Sequence, residues 1–224
     1  VIKKFNMNFE ERLVSKAVTE LLNPSLGVTE QYFEIHDVER LQSIPEPERV
    51  TVDEQANLAI VYFKIQGERF RLAVYLQLQP VIIVYNVATE NNSRVYLRAT
   101  SESLSADEIE NMTSLQAGEK FSKGDKRTFG KSIYNYSEVI FEPNPEIDTF
   151  ENKLDKLLSF LEQDNKGVNL LVDQANAYIQ ADIDIHFGNG LIGGPLISKE
   201  NISRICALNL AIEFSQFVTG NPFV

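Results

Sequence analysis

The sequence predicts an α+β protein of two lobes. An N-terminal helix plus β-meander forms the first, and a C-terminal alternation of strands and helices on a mixed sheet forms the second. Three observations carry this prediction. A helical stripe near the start is followed by strand-like runs with no helix among them. From residue 93 onward, strand patterns and helical stripes alternate, which suits one sheet with helices on a face. Between the two lies the polar, turn-prone stretch Thr89-Glu90-Asn91-Asn92-Ser93, which places the boundary between lobes 1–92 and 93–224.

In the first lobe, residues 8–22 read as a helix. Asn8 with Glu11 has the pattern of a capping box, and Phe9, Leu13, Val14, Ala17, Val18, Leu21 and Leu22 make a broad apolar face. Asn23-Pro24 ends it. Residues 32–38 alternate as a short strand, with Tyr32, Glu34 and His36 on one side. Residues 42–54, with two prolines and many charges, read as a loop. Residues 58–65 and 69–78 are strands joined by a hairpin at Gln66-Gly67-Glu68. Residues 81–88 are almost continuously apolar and read as a central strand.

In the second lobe, residues 94–100 read as a strand. Ser105 with Glu108 repeats the capping-box pattern before a short helix that carries Ile109 and Met112. Residues 115–132 are loop-like and 133–141 strand-like. Asn144-Pro145 opens the longest helix, with Pro145 suited to its first turn and a stripe of Ile147, Phe150, Leu154, Leu157, Leu158 and Leu161. Asn165-Lys166-Gly167 stops or bends it, and residues 168–176 add a helical turn or two. Residues 177–187 alternate strictly. Ile179, Ala181, Ile183, Ile185 and Phe187 share one face; Tyr178, Gln180, Asp182, Asp184 and His186 share the other. After a glycine-rich break, Ser198 is an N-cap for a helix with Ile202, Ile205 and Cys206 on one stripe. A last strand carries Leu210, Ile212 and Phe214. If the last two strands are parallel, this helix is their crossover.

The chain has 224 residues and is 43% hydrophobic, enough for a substantial core. Its net charge of −11 disfavours nucleic acid and anionic membranes except where charge is locally segregated. No apolar run approaches the roughly 20 residues of a membrane span. Cys206 is the sole cysteine, so no internal disulfide forms. That suits a reducing compartment, and the expectation is a cytoplasmic protein.

Three places in the second half carry a family likeness. They are Val95-Tyr96-Leu97 with Leu104-Ser105-Ala106-Asp107-Glu108-Ile109 and the Gly118-Glu119-Lys120 loop; the leucine-rich helix from Ile147 to Leu161; and Leu196-Ile197-Ser198-Lys199-Glu200 before the last strand. Residues 93–220 thereby resemble the bacterial domain-of-unknown-function family 4279. The chain lacks the tryptophans that many members carry in the loop and second strand. The resemblance implies a fold rather than an activity. Small acidic bacterial domains of this kind include toxin-neutralising immunity proteins, an analogy that places this chain among immunity or defence-associated factors.

Candidate chemistry divides three ways. The segment 120–131 is the one basic stretch of an acidic chain. Lys120, Lys123, Lys126 and Arg127, with Tyr134 and Tyr136, are the expected contacts to a protein partner, since Arg and Tyr dominate binding hot spots. With Phe121 and Phe129 interleaved, the same stretch could bind nucleic acid, although Glu119 and Asp125 dilute its charge. Its blander reading is a mobile, solvated loop. Asp182, Asp184 and His186 could hold a divalent metal for a hydrolase; the simpler reading is a solvated polar sheet face. His36 reads as an exposed strand histidine. Gly188 to Pro195 match no nucleotide-binding glycine pattern, and Cys206 reads as a buried structural thiol. The expectation is a non-catalytic protein-binding module without a cofactor; the hydrolase and the nucleic-acid binder are the alternatives.

Overall fold

The computed structural model describes residues 7–128, 130–188 and 194–223. The chain divides into two compact units: Val1–Asn92 with Asp184–Ile192 and Phe217–Val224, and Ser93–Ile183 with Gly193–Gln216.

The first unit opens with α1 (Phe9–Leu22), whose capping box forms as its sequence requires: Asn8 accepts from the Glu11 amide, and Glu11 accepts from the Asn8 amide. Leu13, Ala17 and Leu21 are its buried stripe. α2 (Gly27–Ile35) follows where the alternation predicts a strand. Thr29 and Tyr32, one turn apart, are its buried positions, and a helix places residues at that spacing on one face. The small hairpin β1 (Arg40–Leu41) and β2 (Ile44–Pro45) precedes β3 (Pro47–Asp53). The proline-rich segment is therefore strand rather than loop. β3 is the edge of an antiparallel sheet with order β3-β4-β5-β6, where β4 is Leu58–Lys64, β5 Arg71–Gln77 and β6 Ile83–Glu90. Proline is tolerated at the first residue of an edge strand because no ladder bond is lost there. The expected β4–β5 hairpin forms in register, with Val61 opposite Val74. β6 is the other edge and not a central strand: Ile83 and Tyr85 are exposed. Phe63, Phe70, Leu72, Val74 and Leu76 join the α1 stripe in one buried core.

The second unit is built on a five-stranded sheet of order β11-β10-β7-β9-β8. β7 (Asn92–Ser101) is followed by the capped helix α3 (Ala106–Glu110), then β8 (Glu119–Phe121) and β9 (Ser137–Phe141). α4 (Phe150–Leu161) starts later than Asn144-Pro145 suggests, because Thr149 is its N-cap. The Asn144 side chain instead donates to Asp148. Asn165-Lys166-Gly167 does not end the helical region: a 3-10 turn leads directly into α5 (Asn165–Ala175), capped by Asp164. β10 (Tyr178–His186), α6 (Lys199–Ala207) and β11 (Ile212–Thr219) complete the order. The Ile179 amide reaches the Ala211 carbonyl and the Phe187 amide the Thr219 carbonyl. Both strands advance together, so they are parallel, which meets the condition under which α6 is their crossover. β7 and β8 both pair antiparallel with β9, so the sheet is mixed and the α+β class holds. Val95, Leu97, Ala99, Val139, Phe141, Ile179 and Ala181 are buried, as are the stripes of α4 and α5. Cys206 is exposed rather than buried, and Ile202 is exposed beside it on α6.

Candidate functional site

Strand alternation puts Arg94, Tyr96 and Arg98 of β7 on the face opposite Val95, Leu97 and Ala99. Glu138 of β9 and Tyr178 and Asp182 of β10 join them. The result is a lattice of charge-assisted bonds. Arg98 donates through Nε to Glu138 at 2.6 Å, through Nη1 to the Tyr178 hydroxyl at 2.5 Å and through Nη2 to the Tyr136 hydroxyl at 3.4 Å. Arg94 bonds Glu142 and Glu119 at 2.8 and 2.7 Å, with its guanidinium 4.6 Å from the Tyr96 ring centre. The Tyr96 hydroxyl donates to Asp182 at 2.9 Å, and Gln180 donates to both Asp182 and Ser215.

The electrostatics follow from these bonds. Burial works against the charge on Arg98, but bonds to Glu138 and Tyr178 outweigh it and hold the guanidinium firmly protonated. Burial, reinforced by the bond to Asp182, pushes the Tyr96 phenol well above its ordinary value, so it stays a neutral donor. The lattice thus presents a protonated guanidinium and a neutral phenol as fixed hydrogen-bond donors.

Above this floor lies a cleft of about 980 Å³ bounded by Arg98, Phe121, Lys126, Tyr134 and Tyr136. A second depression of about 460 Å³, lined by Arg98, Tyr136 and Asn176, adjoins it. One wall of the larger cleft is formed by residues 122–128 and 130–136, which pair as a ribbon. The Tyr134 amide reaches the Asp125 carbonyl, the Arg127 amide the Ser132 carbonyl, and Lys126 bridges Ile133. Phe121 and Tyr134 stack with centres 3.6 Å apart, Tyr136 meets Phe121 edge-on, and Arg127 lies 5.1 Å from the Tyr134 centre.

The expected contact residues fare differently. Lys126, Tyr134 and Tyr136 line the cleft, and Arg127 caps the stack. Lys120 also lines it, but its ammonium is held by Asp107 and Glu110 at 2.7 and 2.6 Å. Lys123 donates to the Glu102 carbonyl. Phe129 lies outside the described residues.

Asp182, Asp184 and His186 do not converge. Asp182 belongs to the lattice of the second unit, while Asp184 and His186 belong to the first. Asp184 accepts from Asn92 and pairs with Arg69 at 3.7 Å; His186 meets His36. Among the described residues no three His, Cys, Asp or Glu side chains are grouped to hold a metal. Nor is this strand face solvated, because Gln180, Asp184 and His186 are buried. His36 is not an exposed strand residue either: it caps the C-terminus of α2 and is half-buried. Of the glycine-rich stretch, residues 189–193 lie outside the described residues.

Arg94, Tyr96, Arg98, Glu138 and Tyr178 are not among the site residues expected from sequence. Their signal was available: Arg-Val-Tyr-Leu-Arg is a two-residue alternation with every second position able to bind.

Residues 90–219 match the family described as Domain of unknown function (DUF4279). The chain belongs to this family. No curated protein and no solved structure matches it. The DUF4279 match contains the whole lattice and the ribbon; it leaves out α1, α2, β3, β4 and β5. Among the described residues no helix is long and apolar enough to cross a membrane.

Proposed function

We propose that this chain is a non-catalytic binding module, and that a protein partner docks against the polar sheet face and the ribbon of residues 122–128 and 130–136. One observation carries the reading: Arg98, Tyr134 and Tyr136 line one cleft, held by Glu138, Tyr178 and the stacked Phe121, with Arg127 lying over the Tyr134 ring. Arg and Tyr held in one geometry are the residues that dominate hot spots, because little side-chain entropy remains to be lost on binding. The ribbon also concentrates positive charge. Lys126, Arg127 and Lys131 make no ion pair among the described residues, in a chain whose net charge is −11. An acidic partner patch complements this surface. The carboxylates of Glu119, Asp125 and Glu138 at the cleft confine the positive charge to a short patch, which suits a few acidic side chains better than a continuous phosphate backbone, so a protein partner is favoured over nucleic acid.

The test is affinity capture with the intact chain at low and moderate salt, in parallel with Tyr136→Ala and with the double change Lys126→Glu, Arg127→Glu. The reading expects one stoichiometric protein that weakens with salt and is lost with either variant while the fold is retained. Nuclease-sensitive capture, or a partner indifferent to both variants, would overturn it.

A further inference from the structure

The chain has two histidines, and the first unit brings them together. His36 follows α2, and His186 ends β10 with no solvent exposure. Their Nε2 atoms are 2.8 Å apart. Phe70 packs on both rings, with centres 5.5 Å from His36 and 4.9 Å from His186. The last described residues close over this pair. The Asn221 side-chain amide donates through Nδ2 to the Ile35 carbonyl at 2.9 Å. Phe223 meets Tyr32 and His186 edge-on, at 5.2 and 5.7 Å. The Asn221 carbonyl lies 3.0 Å from His186 Nε2.

That carbonyl determines where the protons sit. A carbonyl only accepts, so His186 Nε2 must carry the hydrogen that reaches it. The same N–H faces His36 Nε2, which must then be the bare nitrogen. His36 is therefore neutral, with its proton on Nδ1. A second proton on His36 would set N–H against N–H at 2.8 Å. We propose that residues 219–223 form a strap that the His36–His186 pair holds closed at neutral pH and releases on acidification. The strap lies at the edge of the family match and beyond it, so this device is separate from the binding surface proposed above.

The charges around the pair support this direction. Burial lowers the His36 pKa, proximity to His186 lowers it further, and Glu68 opposes both without prevailing. Asp184, two residues before His186, is engaged by Arg69 and Asn92. Asp37, beside His36, is engaged by Arg40 and by the Val38 amide. A depressed histidine pKa means the released state binds more protons than the closed one. Closure is then complete above the ordinary value of 6.5 and is lost as pH falls from there through the lower folded value.

The experiment uses the full chain. Long-range proton–nitrogen NMR reads both imidazoles, and hydrogen exchange, corrected for intrinsic rates, reads residues 217–223 at about pH 7.5 and about pH 5. At the higher pH, His36 is expected with Nε2 bare and His186 with Nε2 protonated. Strap opening should rise by at most about tenfold per pH unit, the limit for one proton. His36→Gln keeps an acceptor that cannot titrate, and should abolish the response. A protonated His36 Nε2 at neutral pH, strap exchange equal at both pH values, or a response surviving in His36→Gln would each overturn the proposal. Should that variant not fold, the wild-type tautomers and exchange decide alone.

Discussion

Glu20 is almost wholly buried, yet four donors converge on its carboxylate: the Ser25 amide and hydroxyl, the Leu26 amide and the Thr29 hydroxyl. It ties the end of α1 to the start of α2, whose N-cap Leu26 offers no side-chain acceptor. Burial alone would raise its pKa, but the bonds from Ser25, Thr29 and Leu26 outweigh it and hold the carboxyl below its ordinary 4.5. The contribution to stability is therefore present above that value and is lost as pH falls through the lower folded one. Glu20→Ala is expected to cost about 2–3 kcal/mol in urea unfolding at neutral pH, since it strands buried donors. Nothing in the sequence distinguishes Glu20 from the exposed Glu10 of the same helix; only the fold of α2 back onto it does. Gly220 is a second case. Its φ is +91°, and a Cβ there would lie 2.7 Å from His186 Cδ2 and 2.8 Å from Phe70 Cζ. Gly220→Ala is expected to destabilise the strap by about 1–3 kcal/mol, read as faster exchange at residues 217–223.

Among the elements, helix starts were legible wherever the cap is a local pattern. Asn8/Glu11, Ser105/Glu108 and Ser198 all cap as their spacing demands. The start of α4 was not, because Asn144 and Thr149 are both acceptable caps, and the choice falls to Asp148. Its carboxylate gathers Asn144, Asn152 and Lys156. Asp164 is a cap that sequence alone hides behind Asn165-Lys166-Gly167. It accepts from the Ser114 and Gly167 amides and the Thr113 hydroxyl, at 2.7, 2.9 and 2.9 Å. The two amides, helped by Thr113, push its pKa down to about 2. Asp164→Ala should cost about 1–2 kcal/mol in thermal or urea unfolding. Within the candidate site, the basic stretch was legible as charge. Its ribbon geometry was not, because cross-strand bonds such as Tyr134 to Asp125 depend on pairing rather than composition. A prediction at this scale concerns the lattice. Arg98→Ala leaves Glu138, itself nearly buried, without its main partner and should cost about 2–3 kcal/mol. A double-mutant cycle with Glu138→Ala should recover part of that loss.

At the scale of the molecule, the chain does not divide into two consecutive pieces. Asp184–Ile192 and Phe217–Val224 return to the first unit, where His186, Asn221 and Phe223 pack on α2. Residues 1–92 expressed alone lack these groups, so α2 is expected to exchange its amides faster there than in the whole chain. Equal protection in fragment and whole chain would show that the returning segments contribute nothing. Periodicity by itself determined the helix read over residues 8–22, the β4–β5 hairpin, the strands β7 and β10, and the apolar faces of that helix, of β5 and of β10. Those features follow from local sterics and from the spacing of side chains along one segment. Tertiary structure decided that Tyr32 lies on a helix, that Pro47 opens an edge strand and that β6 is an edge. It also decided that the polar side of β10 is covered rather than solvated. Each of these depends on what a distant segment places against the residue, and a one-dimensional pattern carries no record of that.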